Sequence, residues 1–178
     1  MHPFIKHYNE VSVPKLKEQF SFDSQYHIPK VSKVVINIGT GSAANTGKPM
    51  ADIAKTLELI SGQKPAITKA TKAISGFKIR SGMEVGMKVT LRGTRMHDFM
   101  SKFTQIVLPR TRDFRGLKES GITADGCLHI GIKDSMIFPE VSQDGVGQSL
   151  QVTIVTNARS KEEARAFFEL LGFVFQAN

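Results

Sequence analysis

Residues Gly62–Gly116 read GQKPAITKATKAISGFKIRSGMEVGMKVTLRGTRMHDFMSKFTQIVLPRTRDFRG. Twelve lysines and arginines stand there against three acids, Glu84, Asp98 and Asp113, a net +9, whereas the whole 178-residue chain carries +8. The rest of the chain therefore sums to −1, and the positive charge is local. Apolar residues interleave the cations, as in Phe77-Lys78-Ile79-Arg80 and Lys88-Val89-Thr90-Leu91-Arg92, which is the pattern of cations held on a scaffold. A field of this kind suits a polyanion, because each phosphate neutralised by Lys or Arg releases counterions. The plainer alternative is a solvated basic face.

The same stretch sets the fold class. A short strand is expected at Ala66–Lys69, then a long, mobile, glycine-bearing loop from Lys72 to Gly86, then a strand at Met87–Leu91. Met96, Phe99, Met100, Phe103, Ile106 and Val107 follow helical spacing up to Pro109. Upstream, Phe4–Phe20 reads as a helix that Pro14 should kink or break, Val31–Ile38 as a buried strand, and the stretch from Pro49 or Met50 to Ile60 as an amphipathic helix stopped by Gly62. Gly39–Gly47 is a glycine-rich loop. Downstream, Leu128–Ile132 and Leu150–Thr156 read as strands, with Phe138-Pro139 a turn or edge between them. Lys161–Leu171 is the last helix, with Ala164, Phe167, Phe168 and Leu171 inward. Strands and helices in mixed order predict an α+β fold: a largely antiparallel sheet, helices packed on one face, and a long basic loop. The sheet's other face would be open to a partner.

Length and composition predict a single domain over residues 1–178. One cysteine, Cys127, allows no internal disulfide and fits a reducing compartment, so the expected location is cytoplasmic. No apolar run reaches membrane-spanning length, and no membrane partner is expected.

Catalytic and cofactor motifs fail on spacing. Gly39, Gly41 and Ala44 fit a loose dinucleotide-loop pattern, but the next helix begins past Pro49, too late to cradle a pyrophosphate. Gly41–Lys48 has five residues between its glycines where a phosphate-binding loop needs four. Cys127 and His129 would share a strand face, yet a lone cysteine there reads as core. His2, His7, His27, His97 and His129 show no metal-ligand spacing. No catalytic set, cofactor or metal is expected. The contending class is an RNA-modifying or RNA-processing enzyme with a basic face, which would need convergent acid–base or nucleophilic groups.

Several motifs in order carry a resemblance: Leu57-Glu-Leu-Ile-Ser-Gly-Gln-Lys-Pro-Ala-Ile-Thr-Lys-Ala, Gly76-Phe-Lys-Ile-Arg-Ser-Gly-Met, Lys88-Val-Thr-Leu-Arg-Gly and Leu108-Pro-Arg-Thr-Arg-Asp-Phe-Arg-Gly. Asp125-Gly, Gly131-Ile, Ile137-Phe-Pro-Glu and Ile154-Val-Thr continue it. Over nearly its whole length the chain resembles the large-subunit ribosomal protein five family, bacterial type. The resemblance implies an antiparallel sheet with helices on one face. It implies a structural role in the ribosome: binding 5S rRNA and helping to attach it to the central protuberance.

The other partners so implied are large-subunit rRNA, P-site tRNA, a small-subunit head protein across the intersubunit bridge, and other 5S-associated large-subunit proteins. Asn37, Gln63 and Thr90 match 5S rRNA-contacting positions, with Lys64 and Arg92 beside them. The loop carrying Lys72, Phe77, Lys78 and Arg80 matches the one that approaches tRNA. Lys69, Lys88, Arg95, Arg110, Arg112 and Arg115 are the remaining expected rRNA phosphate contacts. Thr71, Glu84, His97 and Cys127-Leu128-His129 depart from the family's usual residues. Residue chemistry is consistent with the division. Asn, Gln and Thr both donate and accept and can read base edges and 2′-hydroxyls, whereas Lys and Arg meet phosphate regardless of sequence. Each of the three neutral residues also has an ordinary reading: strand-end polar, helix-cap neighbour and β-former.

Overall fold

The computed structural model describes residues 2–22, 24–40, 50–77, 79–112, 114–141 and 147–176. Five strands form one antiparallel sheet: β1 (Val31–Gly39), β2 (Ala66–Lys69), β3 (Glu84–Leu91), β4 (Leu128–Ile132) and β5 (Leu150–Thr156). Their order is β2-β3-β1-β5-β4. With the helices, this is the expected α+β fold. The chain divides into two compact units, one of Met1–Val34, Leu91–Ile130 and Thr153–Asn178, the other of Val35–Thr90 and Gly131–Val152.

The second unit holds helix α3 (Met50–Ser61), whose Ile53, Leu57 and Ile60 are buried at helical spacing. The glycine-rich loop ahead of it lies outside the described residues apart from Gly39 and Thr40. On β1, Ile36 and Ile38 are buried and Asn37 between them is exposed. On β3, Met87 and Val89 are buried, and Lys88 and Thr90 are exposed. That alternation gives this part of the sheet one apolar, covered face and one open, polar face.

β3 starts at Glu84, three residues earlier than the sequence reading placed it. Gly86 looked like a loop glycine, but it lies in the strand, where a Cβ would come within 2.8 Å of Ile38 O and 3.0 Å of Thr68 Oγ1. It permits close approach of neighbouring strands. β2 pairs with β3 as Ala66↔Lys88, Ile67↔Met87, Thr68↔Gly86 and Lys69↔Glu84, with a register shift between Thr68 and Lys69.

The first unit contains the two N-terminal helices α1 (Pro3–His7) and α2 (Val13–Phe20), joined by a π-helical turn at Tyr8–Ser12. Pro14 therefore neither breaks nor ends the helical path. The Val13 N–H reaches back to Tyr8 O, and the wider turn accommodates the missing proline N–H and the ring. The same device recurs in α4 (Gly93–Lys102), a π turn at Phe103–Val107, and α5 (Leu108–Arg110). There the Leu108 N–H bonds Phe103 O ahead of Pro109, so the helix continues to Arg110. The inserted turn rotates the inward face: Phe103, Val107 and Leu108 are buried, while Ile106, expected inward, is 42% exposed.

Helix α6 (Lys161–Leu170) is capped by Ser160, whose Oγ accepts from Glu163 N, while Glu163 Oε2 accepts from Arg159 N. Its Ala164, Phe167 and Phe168 are buried, as is Leu171 just beyond, as the sequence implied. The Phe168 ring meets Phe173 edge-on with centroids 5.6 Å apart, and Phe103 lies 6.4 Å from Phe173. Cys127 is half-buried ahead of β4 rather than a core residue within it. His129, on β4, is exposed and shares a hydrogen bond of 3.0 Å with Thr153 Oγ1.

Candidate nucleic-acid interface

The open face of the second unit gathers Asn37 from β1 with Lys88 and Thr90 from the neighbouring β3. Each is exposed because its strand neighbours turn the other way into the core. Gln63 joins them by a different route. Helix α3 ends at Ser61, whose Oγ donates to Leu57 O at 2.6 Å and accepts from Gln63 N at 3.4 Å. Gly62 N closes on Glu58 O at 2.7 Å. Gln63 is thus a helix-cap neighbour, as its ordinary reading has it.

Gln63 also does more: its Nε2 donates to Thr90 O at 3.2 Å. Extending the β2–β3 register would set Lys64 opposite Thr90. Pro65, lacking an N–H, stops the ladder short of that pair, and the Gln63 amide supplies a donor there instead. Two of the three neutral site residues are thereby tied together, and Lys64 is exposed beside them.

Beyond β2 and β3 the hairpin is pinched at two levels. Ala70 N bonds Met83 O, and Gly82 N bonds Ala70 O, each at 2.8 Å. Further out, Ile74 and Ile79 exchange hydrogen bonds of 2.9 and 3.1 Å around a 3-10 turn at Ser75–Phe77. The loop read as running from Lys72 to Gly86 thus gives its last three residues to β3. Lys72 and Arg80 are exposed on it, and the Phe77 ring is 76% exposed, so it does not anchor the loop in a core. Lys78 lies outside the described residues. Ile74 and Met83 are also exposed, two apolar residues the sequence reading did not single out. Their signal was present: apolar side chains among glycines, in neither helical nor strand period. Lys69, on β2, stands opposite Glu84 on β3.

The remaining predicted cations belong to the first unit. Arg92 is the residue before α4 and Arg95 lies in its first turn, which contains no acid. A helix N-terminus is the end that least favours cations. Arg110 closes α5, and Arg112 and Arg115 are exposed in the segment that follows. Among the described residues no cluster of three or more His, Cys, Asp or Glu has metal-binding geometry, and no helix is long and apolar enough to cross a membrane.

The imidazole of His97 is perturbed by its packing against the N-terminal helix. His97 stacks on Phe4 with ring centroids 5.6 Å apart, and His2 Nε2 lies 2.7 Å from Asp98 Oδ1. Burial, then the charge of His2, push His97 below the ordinary histidine value, and Asp98 opposes them.

An antiparallel sheet with helices, whose open polar face carries exposed lysines, defines the class: a basic-faced α+β protein. Comparison with known sequences makes it particular. The family model described as ribosomal protein L5 matches residues 24–80, and the model of that family's C-terminal region matches residues 84–175. The chain belongs to the ribosomal protein L5 family. It is 44% identical to the large ribosomal subunit protein uL5 of Lactobacillus delbrueckii subsp. bulgaricus, over 97% of each chain. It is 46% identical to the protein of that name from Streptococcus pneumoniae, over 96% of this chain and 95% of the relative. Against that of Acaryochloris marina it is 43% identical over 96% of each. These relatives are ribosomal proteins and not enzymes, and the enzyme alternative falls with them.

Proposed function

We propose that this chain acts as a structural protein of the large ribosomal subunit, with residues 1–178 serving as one 5S rRNA-binding domain. The observation that carries the reading is the open strand face bearing Asn37 and Thr90, with Gln63 tied to Thr90 and Lys64 and Lys88 exposed around them. Neutral groups that donate and accept read RNA edges and 2′-hydroxyls, and the lysines hold the backbone. Arg92 extends that set along the chain. Lys69, Arg95, Arg110, Arg112 and Arg115 meet further rRNA phosphates. For Arg92 and Arg95 a bound phosphate would also offset the unfavourable end of α4.

In the assembled ribosome the protein would help attach 5S rRNA to the central protuberance. It would also touch large-subunit rRNA, neighbouring 5S-associated proteins and a small-subunit head protein at the intersubunit bridge. The pinched loop with Lys72, Phe77, Lys78 and Arg80 serves a different partner, P-site tRNA. Its exposed ring offers a stacking surface and its cations a phosphate contact.

A two-arm assay tests this division. Replacing Lys72, Lys78 and Arg80 together by Ala should leave binding to isolated 5S rRNA nearly intact while weakening P-site tRNA retention on reconstituted ribosomes. A triple variant that loses 5S rRNA as severely as Asn37→Ala would place the loop in the rRNA interface and overturn the division. A chain that binds an unrelated RNA hairpin as tightly as 5S rRNA would overturn the specific reading altogether.

A further inference from the structure

The arginine-bearing segment after α5 is fixed at both ends. At its start Thr111 N bonds Leu108 O at 3.1 Å and Thr111 Oγ1 donates to Val107 O at 3.2 Å. At its end Leu117 forms a parallel bridge with Phe175: Leu117 N bonds Val174 O at 2.7 Å, and Gln176 N bonds Leu117 O at 2.9 Å. Gly116 makes the approach possible. Its φ is +102°, and a Cβ there would lie 2.8 Å from the Phe175 carbonyl carbon and 2.9 Å from Gln176 N. The C-terminal segment is itself anchored, since Phe173 is buried against Phe168 and Phe103 and its N–H bonds Phe168 O at 3.0 Å. The acid nearest the end of the arm is engaged elsewhere: Glu119 lies 3.0 Å from Arg165 and 3.4 Å from Lys161.

We propose that residues Val174–Gln176 are a positioning strut that holds Arg110, Arg112 and Arg115 in place for an RNA backbone, with Gly116 as the joint. This rests on the reading that those arginines meet phosphate. A cation arm tied at both ends has less conformational freedom to lose on binding than a free one, and that difference appears as affinity. The strut touches no RNA itself, and its contribution should therefore vanish when the arginines are gone.

The test uses an RNA hairpin of unrelated sequence, because phosphate contact is sequence-independent. Four proteins are titrated across a salt series: the full chain, the Arg110→Ala/Arg112→Ala/Arg115→Ala triple variant, a chain ending at Phe173, and that truncation combined with the triple variant. The truncation should weaken binding roughly tenfold and make the salt dependence shallower, as lost phosphate contacts do. On the triple background it should change neither. Gly116→Ala in the full-length chain should act in the same direction, and it decides the matter if circular dichroism shows the truncated chain unfolded. A truncation effect equally large on the triple background would mean a general loss of structure and overturn the strut. So would an unchanged salt slope after truncation while the triple variant's slope falls. A triple variant that binds like the full chain would overturn both the strut and the phosphate reading beneath it.

Discussion

Gly86 occupies a crowded point on β3, with Ile38 O on one side and the Thr68 hydroxyl on the other. A methyl group there must displace backbone, and overpacking of this kind costs about 1–3 kcal/mol. Gly86→Ala should lower the unfolding free energy by that amount, seen in urea melts as a lower midpoint with an unchanged m-value. His97 makes a second residue-scale prediction. Its folded value lies below the ordinary 6.5, so as pH falls the unfolded chain takes up the proton first. Stability is therefore held above about pH 6.5 and declines as pH falls from there through the lowered folded value. His97→Phe, which can keep the ring against Phe4, should remove that decline relative to the native chain in melts across the window. An identical pH profile in the variant would show that His97 is not its source. At this scale the exposure of Lys88 and Thr90 was legible, because strand alternation fixes which side chains turn outward, whereas Asn37 lies in a stretch read as a buried strand and in fact turns outward between Ile36 and Ile38. The Gln63–Thr90 hydrogen bond was not legible: it depends on a ladder ending at Pro65, a register that no single residue type encodes.

Both long helical paths solve the same problem in the same way. A five-residue π turn ends two residues before Pro14 in one and two residues before Pro109 in the other. A strict 3.6-residue period cannot anticipate the added residue, and this is why Ile106 was read as inward and Leu108 was not singled out. The shifted phase reverses the expected order of two truncations. Leu108→Ala should cost about 2–5 kcal/mol as a buried cavity. Ile106→Ala should stay within about 0.5 kcal/mol, as surface changes do. Denaturant melts in which Ile106→Ala is the more damaging would restore the unbroken α-helical phase. Elements without prolines, such as β4, β5 and α6, fell within a residue of their sequence-based bounds, since period and flanking turns suffice there.

Across the whole molecule, the proposed function divides charge from specificity. The cations of Gly62–Gly116 supply a field, and its local concentration was visible from the count alone. The neutral face of Asn37, Gln63 and Thr90 was chosen by family resemblance, since each of those residues alone also suits an ordinary structural role. A salt series of 5S rRNA binding, comparing the native chain with Asn37→Ala, separates the two contributions most directly. The account predicts two parallel lines of log affinity against log salt, with the variant weaker by about 5- to 150-fold, the equivalent of about 1–3 kcal/mol for one unpaired polar contact. Coincident lines, or a shallower slope in Asn37→Ala, would contradict it.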